Sequence, residues 1–292
     1  MTFAEFFAAN PVFLAVTALA FGLVIGSFLN VVIYRLPIMM ETEWTQQCLE
    51  LLELEESRSD VSDLPRFNLA IPNSHCPKCK HEISALENIP VFSWLLQAGK
   101  CRHCKTSISP RYPIIETITG VISALVAYKY GYTWLTPALL ILCWSLIVLT
   151  MIDFDHQLLP DDITLPLLWL GLLVNSMEMI TSLESAVWGA IAGYGILWGV
   201  YWMFKLITGK EGMGYGDFKL LGALGAWMGW QVLPMIILLS SLVGALVGIS
   251  LIVILGRDKN VPIPFGPYLA SAGFIALLWN ESLTVLYYSL FL

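Results

Sequence analysis

The chain is built from long apolar runs separated by short polar breaks, and only one polar stretch is long. Residues 11–36 are apolar and carry no charge before Arg35, enough for a helix across a ~30 Å hydrocarbon core. Similar runs follow at 113–130, 134–152, 163–180, 186–207, 218–230, 232–255 and 264–279. The runs are continuous rather than alternating, so they predict helices and not a barrel. The expected fold class is an α-helical polytopic membrane protein with about eight transmembrane helices. The 218–230 run is short and glycine-rich, and without it the count is seven.

The polar stretch, 39–112, reads as one extramembrane domain between the first and second spans. The predicted organisation is a first transmembrane helix in 1–38, this domain in 39–112 and a membrane core in 113–292. Within the domain, the acidic run QCLELLELEES (47–57) predicts a short amphipathic helix with a solvated face. The first apolar run has no basic residue ahead of it and reads as a retained anchor rather than a secretory signal.

Composition agrees: 57% of residues are hydrophobic and 13% charged, where a soluble domain has about a quarter charged. The net charge of -7 does not suggest a nucleic-acid partner. With the N-terminus outside and eight spans threaded, 14 of the 15 basic residues fall on the cytoplasmic side, leaving Lys129 outside. That threading makes the polar domain, the loop after Asp153 and the loop from Lys205 to Lys219 cytoplasmic. Small-residue pairs (Gly22 and Gly26, Gly189 and Gly193, Gly195 and Gly199, Gly244 and Gly248) are suited to close helix packing.

Cys76 and Cys79 form CPKC, and Cys101 and Cys104 form CRHC. Two such pairs match a four-cysteine structural zinc site, with two thiolates supplied by each tight turn. The alternatives are a disulfide, which a reducing cytoplasm disfavours, and free thiols. His75, His81 and His103 lie beside the cysteines, but four thiolates already complete a tetrahedron. Cys48 and Cys143 have no such partner.

Ionisable groups at the end of a span are costly, and so are functional suspects. Two clusters fall on the same side: MIDFDHQLLPDD, with Asp153, Asp155, Asp161 and Asp162, and GMGYGDFKLL, with Asp217. Asp153 ends an apolar run and Asp217 starts one. The local alternatives are an N-cap role for Asp217 before Phe218, an N-cap role for Asp161 or Asp162 before Ile163, and a solvated loop for Asp155 and His156. Gly214 and Gly216 remove bulk beside Asp217 and permit unusual dihedrals, which a plain cap does not need. Two carboxylates sharing a proton can activate water and protonate a leaving amine. Asp153 and Asp217 are the candidate pair.

With these motifs in hand, the chain resembles the bacterial type IV prepilin leader peptidase/N-methyltransferases over nearly its whole length. The resemblance rests on GSFLNVVIYRLP (26–37), CPKC…ENIP…GKCRHC…RYP (76–113), IDFDHQLLPD (152–161), GKEGMGYGDFKLL (209–221) and PIPFGPYL (262–269). The GYGD element (214–217) is also similar to that of presenilin-like membrane aspartyl proteases. The resemblance implies an inner-membrane enzyme that cuts the basic leader from type IV prepilins and type II secretion pseudopilins. It implies methylation of the new N-terminal amine from S-adenosylmethionine. It maps the aspartyl pair onto Asp153 and Asp217 and the zinc ligands onto Cys76, Cys79, Cys101 and Cys104. It ties methyl transfer to the cytoplasmic domain, where Gly99 and Lys100 match a family element. The residues alone support the cut better than the methylation, since no Gly-rich loop after a strand announces a methyltransferase. The rival reading from another class is a membrane transporter using paired aspartates, which suits the acids but lacks the internal repeat such proteins carry.

Overall fold

The computed structural model describes residues 2–52, 67–256 and 263–291. The later part of the acidic run (53–57), Arg58, Arg66, Arg257, Lys259 and Pro262 lie outside the described residues. The described chain is mainly α-helical and divides into two compact units, Met1–Tyr132 and Thr133–Leu292.

The first unit contains α1 (Phe3–Ala9), α2 (Pro11–Leu51), α3 (Phe92–Leu96) and α4 (Arg111–Tyr130). The expected break after residue 36 is absent: α2 runs on through Pro37 to Leu51. The described start of the acidic run is thus the end of α2 and not a separate helix. Residues 41–51 (ETEWTQQCLEL) are mostly good helix formers, so the helix continues past the apolar stretch into polar sequence. Inside that stretch α2 packs on α4 through its glycines. A Cβ on Gly26 would fall 2.6 Å from Glu116 Cα, and one on Gly22 would fall 2.5 Å from Ser123 Oγ. Just beyond, the buried Arg35 donates from Nη1 to the Asn68 carbonyl at 2.9 Å and from Nη2 to the Pro72 carbonyl at 2.6 Å. Its stem thereby ties the polar segment to the end of the span.

The second unit contains α5 (Leu135–His156), α6 (Asp161–Ser176), α7 (Leu183–Thr208), α8 (Tyr215–Met228), α9 (Leu233–Leu255) and α10 (Gly266–Phe291). Its centre is α8, whose residues from Asp217 to Met228 are buried apart from the partly covered Lys219. A helix that is apolar all round suits a protein core or lipid, and here small residues let neighbouring helices in on every side. On α7, a Cβ at Gly189 would strike the Gly225 carbonyl, and one at Gly193 would lie 2.6 Å from the Leu221 carbonyl. On α6, Gly171 accepts the Trp227 ring. The Trp227 indole N–H donates to the Leu167 carbonyl at 2.8 Å. The fully buried Asn175 amide donates to the Ala226 and Trp227 carbonyls, both at 2.8 Å. These bonds end α8 inside the protein.

Among the described residues, four helices are long and apolar enough to cross a membrane: Pro11–Leu51, Leu135–His156, Leu183–Thr208 and Trp230–Ile254, with Gly266–Trp279 a shorter apolar helix. The predicted run at 218–230 is α8, whose 14 residues reach only about 21 Å. The run at 163–180 ends as helix at Ser176.

Of the small-residue pairs, Gly22 with Gly26 and Gly189 with Gly193 make close helix contacts. Gly244 and Gly248 meet the Tyr268 and Ile263 side chains, and Gly195 and Gly199 meet nothing within 4 Å. Gly193→Val therefore overpacks the α7/α8 contact and should cost about 1–3 kcal/mol or more. Gly199→Val should leave stability nearly unchanged. Thermal unfolding of both variants in detergent micelles checks the contrast.

Candidate active site and metal centre

Asp153 lies in the last turn of α5, buried at 5% exposure. Gln157 adopts a left-handed conformation (φ 54°) and its N–H closes on the Asp153 carbonyl at 2.9 Å, so the helix stops one turn past the carboxylate. The chain turns through Leu159 and enters α6 at Asp161. Asp217 is the third residue of α8 and is 7% exposed. The cap of α8 is Gly214, not Asp217. The Asp217 N–H instead donates to the Gly214 carbonyl at 3.3 Å, which places the acid in the first turn of α8. The cap expected of Asp161 or Asp162 likewise falls on Pro160, which places both acids in the first turn of α6.

Leu159 packs beside two glycines, Gly216 next to Asp217 in the chain and Gly266 next to the Asp153 carboxylate. A Cβ on Gly216 would fall 2.7 Å from Leu159 Cβ, and one on Gly266 would fall 3.2 Å from Leu159 Cδ2 and 2.6 Å from Asp153 Oδ2. The Gly266 N–H donates to Asp153 Oδ2 at 2.9 Å. The chain thus closes on the Asp153 carboxylate from the start of α10, and on Gly216, the residue before Asp217, from the α5–α6 loop. Asp217 lies within reach of the Asp153 charge. Asp217 Oδ1 is buried with no hydrogen-bond partner among the described residues. Asp155 is exposed and His156 is on the same exposed turn.

The reason given in sequence for the two glycines is corrected in part. Neither Gly214 nor Gly216 has a positive φ, so unusual dihedrals are not their role. Gly216 makes room for Leu159. Gly214 leaves open space beside Asp217, where an added Cβ would meet only Oδ2 at 3.8 Å. Two positioning groups were not singled out as site residues. Gly266 lies in the PIPFGPYL motif, but the backbone N–H it offers to Asp153 is invisible in sequence. Lys219 donates to both Asp161 carboxylate oxygens at 2.7 Å, joining the start of α6 to α8 two residues past Asp217. Tyr201, Tyr215 and Phe218 pack ring to ring at 5.3–5.7 Å and hold the first turn of α8 against α7.

In the first unit the four expected cysteines converge. The sulfurs of Cys76, Cys79, Cys101 and Cys104 lie within 4.8 Å of one another, and no disulfide joins them. The two turns are built alike. Cys76 N–H bonds to the His81 carbonyl, and Lys80 N–H bonds back to Cys76; Cys101 does the same with Thr106 and Lys105. Lys80 and Lys105 take left-handed φ of 58° and 60° to close the turns, and each turn is flanked by one isolated bridge, His75 with Glu82 and Lys100 with Ser107. The donors suit thiolate. The Cys79 and Lys78 amides lower the Cys76 thiol, and the Thr106 hydroxyl and amide bring Cys104 to about 6. The His81 amide also pulls Cys79 down, but burial and the neighbouring thiols outweigh it and push Cys79 up to about 11. A bound cation removes that conflict by neutralising the crowded sulfurs. No histidine joins the cluster: His81 stands 3.7 Å from Glu87 and edge-on to His103. Cys48 is exposed and Cys143 is buried in α5.

Gly99 has φ +67° and packs on Trp94, where a Cβ would fall 2.9 Å from the ring. Its N–H bonds the Trp94 carbonyl and its carbonyl accepts from Ile108. Gly99 therefore makes the turn into the second cysteine pair, while the Lys100 side chain is exposed.

Residues 20–130 match the Bacterial Peptidase A24 N-terminal domain and residues 140–249 match the Type IV leader peptidase family. Curated relatives named prepilin leader peptidase/N-methyltransferase include one from Stutzerimonas stutzeri, 55% identical over 98% of both chains. A second, from Pseudomonas aeruginosa, is 50% identical over 98% of both, and a third, from Aeromonas hydrophila, is 56% identical over 93% of both. No solved structure gives a significant match. The chain belongs to the type IV leader peptidase family.

The sulfur cluster should bind about one metal ion per chain. Cys76→Ser or Cys101→Ser should lower that content, read by elemental analysis of reduced protein, and should loosen the polar segment of the first unit to limited proteolysis.

Proposed function

We propose that this chain removes the leader peptide from type IV prepilins and type II secretion pseudopilins at the cytoplasmic face of the bacterial inner membrane. It then N-methylates the new terminus with S-adenosylmethionine. The observation that carries the proteolytic half is the pair of buried carboxylates, Asp153 and Asp217, at the ends of two helices, close enough for one charge to act on the other. In this reading the N-terminus is periplasmic, the chain crosses about eight times, and residues 39–112 form the cytoplasmic zinc domain between the span in 1–38 and the protease core in 113–292.

The roles follow from the hydrogen bonds. Asp153 accepts the Gly266 N–H, which favours its ionised form and fixes its plane. Asp217 has a buried, unpartnered oxygen, and an ionised oxygen left so is costly. The shared proton is best placed on Asp217. Asp153 then takes a proton from water, the water oxygen attacks the scissile carbonyl, and Asp217 donates its proton to the carbonyl oxygen. Collapse of the tetrahedral adduct breaks the C–N bond, and the amine leaves with a proton returned by the pair. The open space at Gly214 lets an extended substrate backbone approach Asp217.

Methylation rests on the relatives' names. S-adenosylmethionine supplies an electrophilic methyl group, and the freed amine is the nucleophile. The backbone of Gly99 is fully hydrogen-bonded, so its proposed part is to set the turn that presents Lys100. The Lys100 ammonium is suited to hold a carboxylate of the donor. The cysteines fix this corner from its other side, with zinc as the metal that four thiolates select.

Asp153→Asn and Asp217→Asn keep size and remove the ionisable group. Each should lower leader cleavage by about 10²-fold or more in a purified assay, while Asp155→Asn stays near wild type. Near-normal cleavage by either of the first two variants would remove the dyad. On a synthetic peptide already cut and beginning with Phe, Asp217→Asn should still methylate, whereas Lys100→Gln should lose methylation and keep cleavage. Equal loss of both activities in Lys100→Gln would deny it a separate role.

A further inference from the structure

The polar domain is not wholly outside the apolar zone. Leu86 and Leu96 are 76% and 87% exposed, and Ile89, Phe92 and Leu95 between them are exposed as well. Five large apolar side chains open to the surroundings within eleven residues are unusual for a water-facing zinc domain. The segment is a 3₁₀ turn (Ala85–Asn88) followed by α3, with Val91 at φ 62° making the corner between them.

What fixes its depth is where it is fastened. Ser27 Oγ donates to Asn88 Oδ1 at 3.4 Å. The Val91 N–H donates to the Glu116 carboxylate at 2.7 Å. Ser27 belongs to the uncharged stretch of α2, eight residues before Arg35, which is about 12 Å along the helix. Glu116 is buried against Gly26. The corner at residues 88–91 is therefore held at the level of the apolar stretch and not beyond Arg35. Its own polar groups are turned to Ser27 and Glu116, which leaves the apolar side chains facing outward. The flanking cysteine turns carry exposed cations, Lys78 and Lys80 before the segment and Lys100, Arg102 and Lys105 after it. Apolar side chains bracketed by basic residues are the pattern of a segment lying in the boundary between headgroups and acyl chains, buried about 5–10 Å.

We propose that residues 86–96 form a membrane-inserted foot of the cytoplasmic domain, whose occupant is the acyl region of the inner leaflet. The proposal rests on α2 spanning the membrane with its C-terminal end cytoplasmic. Its consequence is a fixed height for the cysteine domain: the foot and Arg35 hold it at the membrane surface, where a substrate whose first helix lies in lipid presents its newly made terminus.

The test uses the full-length protein in vesicles of phosphatidylethanolamine and phosphatidylglycerol. Two lipids are compared, one with a photoactivated diazirine in the acyl chain and one with it on the headgroup. Trypsin releases residues 81–100 as one peptide, since no Lys or Arg lies between Lys80 and Lys100. Residue-level mass spectrometry should find the acyl probe on Leu86, Phe92 and Leu96 at a yield within about threefold of that on residues 12–34. The exposed Leu51, about 24 Å past Arg35 along α2, should stay unlabelled. Label on 12–34 alone leaves the span intact and overturns the foot. Label on 86–96 from the headgroup probe only also overturns insertion. A lysine-reactive cross-linker joining Lys80 or Lys100 of one chain to a second chain, with no acyl label on the segment, would make the face a subunit contact and overturn it too. Phe92→Glu with Leu96→Glu should abolish the acyl label on the segment while metal content is unchanged, which separates loss of insertion from unfolding.

Discussion

A carboxylate at the end of an apolar helix has to be kept from lipid, and in the second unit this is achieved by enclosing α8 in protein. Asp217 opens a helix whose later turns touch neighbours on every side. Enclosure requires backbones to approach closely, which explains the glycines that line α7 and face α8: Gly189 against Gly225, and Gly193 against Leu221. It also requires the far end of α8 to be satisfied without water, which Asn175 and the Trp227 indole do. A short helix suffices because α8 is held by its neighbours rather than by spanning lipid alone.

The same enclosure gives the acids their chemistry. The loop from α5 to α6 passes Leu159 between Gly216, which precedes Asp217, and Gly266, which donates its N–H to Asp153. Polar groups in a low dielectric interact strongly and pay heavily when unpaired. One acid is paired with an N–H and the other keeps a bare oxygen. That difference is what the proposed shared-proton pair needs, and it comes from backbone positions. The Asp161–Lys219 pair is partly exposed and adds about 1 kcal/mol at most. Its use is to fix the start of α6 against α8.

In the first unit the ordering principle is the convergence of four cysteine sulfurs, which could hold a metal ion. Few apolar side chains are buried between residues 67 and 110, so the segment relies on two matching cysteine turns and on Arg35 holding its carbonyls. Gly99 belongs to this scaffold: with its left-handed φ and its packing on Trp94, a side chain there would be strained.

The sequence alone determined the elements whose signal is local. Long uncharged runs name the spanning helices because each buries its own backbone bonds, and paired C-x-x-C turns name the sulfur cluster because each turn is self-contained. Asp153 and Asp217 stood out because charge is rare beside apolar runs. The tertiary structure alone decided the rest. Local pattern cannot say that the 218–230 run is a buried 14-residue core, that α2 continues past Pro37, or that Gly214 and not Asp217 caps α8. Nor can it supply Gly266, whose contribution is a backbone N–H 113 residues away from the Asp153 it reaches. Such contacts depend on which backbones meet in space, and periodicity along one chain carries no record of them.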